Sequence, residues 1–234
     1  MALNEKSPAP DAIDAGRRSA VHDGGAAEGA TDRPAAVGRG PALEPGVRRG
    51  AAVAGLGLLA MTVLAMAGTL VANGPAGARV AVPGSEGLLG RIGVLALYGV
   101  ALLDVIVAWG LTEAFRSVDR GLAVLAGWLR LVYAVVFVVA ITQLAGGQPA
   151  AYHRIWQVGL LVFGVHLVLV GRLVARSGWL PRWLGVLVTV AGIGYVADSV
   201  LAVLLVATPF SLSTVTFVGE LLLAVWLARR AASS

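Results

Sequence analysis

The chain contains no cysteine. That absence excludes disulfides, thiolate metal sites, iron–sulfur clusters, a cysteine nucleophile and a lipid-modified cysteine. It is also poor in charge: Asp, Glu, Lys and Arg make up 13% of the residues, against roughly 25% in a soluble domain. Motifs that carry a reaction are missing too. There is no HExxH, no GxSxG and no Walker loop, so metalloprotease, serine-hydrolase and P-loop chemistry are set aside. Only three histidines are present; one, His166, lies within an apolar run, so a bis-histidine haem is set aside as well. No cofactor and no metal is expected, and nothing specifies a reaction, so the reading leans away from an enzyme.

Apolar sequence fills the space left by these absences. Hydrophobic residues are 58% of the chain. They fall in stretches of about 20 residues with few charges, the length that crosses a ~30 Å hydrocarbon layer at 1.5 Å per residue. The expected fold class is all-α: a polytopic transmembrane helix bundle of six spans, residues 51–72, 92–111, 122–144, 156–174, 184–206 and 212–228. Turn chemistry separates them: Asn-Gly-Pro at 73–75, Val-Pro-Gly at 82–84, a charged loop at 112–120, Gly-Gly-Gln-Pro at 146–149 and the segment from Arg176 to Arg182. Two spans carry an acid. Asp104 costs ~3 kcal/mol at mid-helix, which eleven Leu, Ile and Val residues at ~0.3–0.6 each outweigh. Glu220 faces nine Leu, Val and Phe residues, a margin of roughly zero to two kcal/mol, so the sixth span is the least secure.

Residues 1–49 have no periodic apolar face and read as a disordered cytosolic tail preceding a membrane domain at 50–230. The first apolar run has the full length of a span and stands behind this tail, so it reads as an anchor rather than a cleaved signal. The tail holds seven basic and seven acidic residues; the excess of +5 therefore belongs to the membrane region. There the arginines sit at helix ends, as topology signals and not as a nucleic-acid patch. With the N-terminus inside, cytosolic segments hold fourteen Lys and Arg residues and outer loops hold three, Arg79, Arg91 and Arg154. That bias predicts both termini in the cytosol. The expected partner is the lipid bilayer, not nucleic acid; no protein partner or small-molecule ligand is specified.

Ionisable groups in hydrocarbon are costly and are usually functional or paired. Asp104, Arg130, His166 and Glu220 each lie seven or eight residues from the cytosolic end of their span, which puts them in one layer ~10–12 Å deep. Asp104 and Arg130, on consecutive antiparallel helices, are expected to pair, and His166 and Glu220 are expected to share a proton. Tyr133, Tyr195 and Asp198 are secondary candidates; Asp198 has Arg154, Gln157 or water as partners. Against the site reading stands a plainer one, in which such polar pairs only clamp helices together at ~0.6 kcal/mol each. Arg91, Arg154 and Trp156 read as interfacial anchors. Gly55-x-Gly57 and Gly192-x-Gly194 lie in apolar helices and signal close packing.

From the fourth span onward the wording is distinctive: Gly164-Val-His166, then Ser177-Gly178-Trp-Leu-Pro181-Arg182-Trp-Leu-Gly185, then Gly192-Ile-Gly194-Tyr195-Val-Ala-Asp198-Ser199, and Gly219-Glu220-Leu. With Arg91-Ile-Gly and Arg130-Leu-Val upstream, residues 51–228 resemble the bacterial membrane family called domain of unknown function 4386. The resemblance implies a compact helical membrane domain with no assigned activity. It marks Arg91, Arg130, His166, Ser177, Pro181, Tyr195, Asp198 and Glu220 as family-type positions. The family often carries an acid where this chain has Tyr133, which implies that Arg130 here takes its carboxylate from Asp104 or Glu220. Three roles follow: ligand binding, sensing or interaction around the polar layer; a small or proton-coupled transporter; or an intramembrane enzyme with Glu220 and His166 as acid–base groups on a lipidic substrate. No inverted repeat relates residues 51–144 to 156–228, which lowers the transport reading.

Overall fold

The structure is a computed structural model that describes residues 43–73, 88–204 and 212–233, within one compact unit. The expected disordered tail falls outside the described residues except at its end. There the helix begins earlier than the apolar run: Pro45 supplies a first-turn residue with no N–H to leave unsatisfied, and Val47 is buried. Residues 45–49 are therefore helix, not tail.

Six helices make up the described residues, with no strand among them: α1 (Pro45–Asn73), α2 (Leu88–Phe115), α3 (Arg120–Ala145), α4 (Pro149–Arg176), α5 (Arg182–Val203) and α6 (Leu212–Ala232). The first five are long and apolar enough to cross a membrane. The bundle is thus a membrane protein with five such helices among the described residues.

Local chemistry sets the ends. Asp119 accepts a hydrogen bond from the Leu122 amide at 3.0 Å and caps α3. At the end of α4, Ser177 Oγ donates to the Val174 carbonyl at 2.8 Å and accepts from the Leu180 amide at 3.3 Å. Gly178 follows at φ 71°, left-handed backbone that glycine adopts without a Cβ clash. Pro181 then N-caps α5, and Trp179 stacks on Phe115 at 5.4 Å. Ser177 and Pro181 thus build this corner of the fold.

Each helix packs on the next in chain order, and α6 returns to α1, closing a ring. Small residues allow the approach. A Cβ on Gly164 would stand 2.7 Å from the Gly192 carbonyl oxygen, and one on Gly185 2.6 Å from that of Gly171, so α4 and α5 meet backbone to backbone. Gly55 does the same for the α1–α6 closure, 2.5 Å from the Ala228 nitrogen. This is the small-residue packing of membrane helices. Alanines such as Ala51, Ala54, Ala108, Ala126 and Ala140 fill the interior, while Val63, Leu102 and Trp128 are more than two-thirds exposed on the outer faces. Water penalises such an apolar exterior; lipid does not.

Candidate functional site

Between the helices lies a partly open cavity of about 570 Å³, to which all six helices contribute. Leu58, Met61, Thr62, Ala65 and Met66 come from α1, and Leu97, Val100 and Asp104 from α2. α3 gives Arg130, Tyr133 and Phe137; α4 gives Tyr152, Trp156, Leu160 and Phe163. Tyr195 and Glu220 complete it from α5 and α6. The lining residues run from mid-bundle toward the end where α1 finishes and α4 starts. Leu58 to Met66 alone is ~12 Å of helix, so the charged residues form the floor of an elongated, mainly apolar pocket.

Arg130 is the hub of that floor. It is 1% exposed and Asp104 is fully buried, with Nη2 at 2.7 Å from Asp104 Oδ1. This is an ion pair by distance, and Asp104 Oδ2 has no hydrogen-bond partner among the described residues. Nη2 also reaches Met61 Sδ at 3.7 Å, and the guanidinium lies 5.3 Å from the centre of the Phe163 ring, a cation–π contact. The expected pairing of Asp104 with Arg130 is therefore present, and α1 to α4 all touch one side chain.

His166 departs from expectation. Its Nδ1 lies 2.8 Å from the Ala126 carbonyl oxygen and its Nε2 3.3 Å from Arg130 Nη1. A carbonyl only accepts and a guanidinium only donates, so Nδ1 carries the hydrogen and Nε2 accepts. His166 is a neutral, fully buried strut behind Arg130, and it does not line the cavity. A proton shared with Glu220 is replaced by this arrangement, because both ring nitrogens are already committed.

Glu220 is partly buried in the cavity wall. The Tyr195 hydroxyl donates to its carboxylate, and both Arg130 and Asp104 act on it through their charges. Its Oε1 has no hydrogen-bond partner among the described residues, nor does Arg130 Nε. Three lining side chains thus hold buried polar atoms without a hydrogen-bond partner, Asp104, Arg130 and Glu220, while Trp156 approaches the Tyr133 hydroxyl. In native proteins such atoms are few and each calls for an explanation.

The other predicted residues divide. Tyr133 and Tyr195 line the cavity; Asp198 does not, although its charge reaches Tyr195. Arg91 and Arg154 are exposed on α2 and α4 away from the cavity, which fits anchors. Trp156 does not: it lines the cavity and stacks with Tyr152 at 6.0 Å. Tyr152, Phe163 and Phe137 are absent from the sequence reading. Their signal was the spacing Tyr152, Trp156, Leu160, Phe163 on α4, one helical face, opposite Tyr133 and Phe137 on α3. Tyr133 and Phe163 meet at 4.7 Å.

No solved structure matches the chain. A protein of Archaeoglobus fulgidus, described as an uncharacterized protein, is 35% identical over 134 residues, which span 57% of this chain and 80% of that one. The model of the family described as domain of unknown function (DUF4386) matches residues 53–149 and 148–230, a stretch reaching from α1 to α6, and the chain belongs to that family.

Proposed function

We propose that this protein is a membrane-embedded receptor or carrier for an amphipathic small molecule, which lies along the apolar walls of the cavity with its polar head at Asp104, Arg130 and Glu220. The observation that carries the reading is the set of unpartnered buried polar atoms at the charged floor of a cavity to which every helix contributes. A helix clamp would satisfy its polar atoms and close over them. A volume of about 570 Å³ falls in the range of small-molecule pockets, as does the pattern of apolar lining with a few convergent polar groups.

The arginine bias supports all six helices spanning, with both termini cytosolic. In that orientation the α3–α4 loop is outside, and the pocket runs from its charged floor toward the outer leaflet. Catalysis gains nothing from the geometry: His166, the residue best suited to acid–base chemistry near neutral pH, is held behind Arg130.

Filling the cavity separates the two readings. Ala65→Trp places an indole in the lumen from α1. Purified protein in nanodiscs is screened for thermal stabilisation by amphiphiles of differing head group, a ligand at a hundredfold its Kd giving ~2.7 kcal/mol. Stabilisation of the natural protein that Ala65→Trp abolishes is the expected result. The proposal fails if no head group stabilises the natural protein, or if both proteins respond equally.

A further inference from the structure

The charge at the cavity floor does not balance. Arg130 is always protonated, and His166 is neutral by the donor and acceptor roles of its two partners. Asp104 offsets Arg130 at 2.7 Å. That leaves Glu220, whose carboxylate accepts from Tyr195 but has no counter-charge of its own, a costly state in a membrane interior. One positive charge is needed, and it can be a proton on Glu220 or a cation in the cavity.

The walls say which cations fit. A hard metal ion takes a shell of six or more oxygens, whereas the lining apart from Thr62, Asp104, Arg130 and Glu220 is Ala, Val, Leu, Met, Phe, Tyr and Trp. Aromatic faces attract organic cations, ammonium groups above all, and Tyr152, Trp156, Tyr133 and Tyr195 present four rings to one lumen. Asp104 and Glu220 each hold a buried oxygen without a hydrogen-bond partner, two acceptors for N–H donors.

We infer that the cavity takes a monovalent organic cation, an ammonium head on an apolar body, in exchange for one proton at Glu220. This rests on the ligand-binding reading above and names the ligand class. The charged and titratable groups around Glu220 are Asp104 from α2, Arg130 and Tyr133 from α3, Tyr152 and His166 from α4, and Tyr195 and Asp198 from α5. α1 gives the lining no titratable group. Asp104 is matched by Arg130, Asp198 lies outside the cavity lining, His166 is committed on both nitrogens and the tyrosines are neutral, so Glu220 is the group at which cation and proton compete. Below the titration of Glu220 the proton fills the need and the cation is excluded; above it the carboxylate is open to the cation.

The test uses one apolar body in three charge states: octylammonium, octanol and octanoate, titrated calorimetrically into nanodisc-embedded protein, with empty nanodiscs subtracted. Octylammonium is expected to bind at least tenfold more tightly than the other two. Its affinity should fall about tenfold per pH unit on the acid side of the Glu220 titration, the slope of one competing proton. Glu220→Gln should abolish that slope and bring octylammonium to the level of octanol. Should that variant not fold, the slope of the natural protein across about pH 5 to 9 decides, because octylammonium stays charged throughout. The inference is overturned if octanoate binds as tightly as octylammonium or if the octylammonium affinity is flat with pH. Octanol binding without charge preference would remove the cation assignment and keep the pocket; no binding of any of the three, with a thermal screen blank for every head group, would remove both.

Discussion

Replacing Arg130 by Met keeps most of the side-chain volume and removes the charge. It leaves the fully buried Asp104 without its counter-charge at 2.7 Å, and His166 Nε2 without the donor at 3.3 Å. Breaking a buried ion pair by removing one partner costs about 3–5 kcal/mol, and an orphaned buried acceptor adds ~1–3. Polar contacts between membrane helices measured individually average only ~0.6 kcal/mol, so the geometry here demands several times the membrane norm. Asp104→Asn added to Arg130→Met removes the orphaned charge and should restore at least ~2 kcal/mol. The four proteins of this double-mutant cycle are compared by reversible unfolding in mixed micelles with increasing denaturing detergent. A coupling of ~2 kcal/mol or more in the cycle is expected. Additivity within ~0.5 kcal/mol, the range for independent sites, would refute the view that Asp104 and Arg130 hold one another.

Glu220→Leu should insert as well as the natural chain or better, because it removes a group costing ~3 kcal/mol from an otherwise apolar run; a glycosylation-tag insertion assay reads this, and poorer insertion would contradict it. Gly164→Val should cost more than ~3 kcal/mol, since a Cβ there stands 2.7 Å from the Gly192 carbonyl oxygen and backbone cannot yield as a side chain can. Gly178→Ala meets nothing within 4 Å and should cost only the ~1–2 kcal/mol of a left-handed residue. Equal losses for these two glycines in thermal unfolding would undermine the account of α4–α5 packing.

The six helices and the turns at 116–119, 146–148 and 177–181 were legible because apolar run length and turn chemistry act locally, while the expected turns at 73–75 and 82–84 lie outside the described residues but for residue 73. The start of α1 at Pro45 was not, since a proline-led helical turn with two arginines has no apolar run to announce it. The clustering of Asp104, Arg130 and His166 was legible from depth along antiparallel neighbours, a one-dimensional quantity. The rotation of each helix was not: depth alone could not say that His166 turns behind Arg130 while Glu220 faces the lumen. The aromatic stripe on α4 was overlooked because Trp156 stands near a helix end, where an anchor is the usual reading. Its spacing to Tyr152 and Phe163 carried the other answer.

The central claim is that the charged floor belongs to a water-reachable pocket and is not a dry clamp. The cysteine-free chain permits a direct measurement, with single cysteines at Met66, Leu97, Leu160 and Glu220 and a lipid-facing control at Trp128. Each is challenged with a membrane-impermeant thiol reagent from either side of sealed vesicles. Labelling of the cavity positions from the side of the α3–α4 loop, with Trp128→Cys protected, is what the account predicts. Protection of all four cavity positions, with loop cysteines fully labelled, would contradict it and leave Asp104, Arg130, His166 and Glu220 as groups that hold helices together.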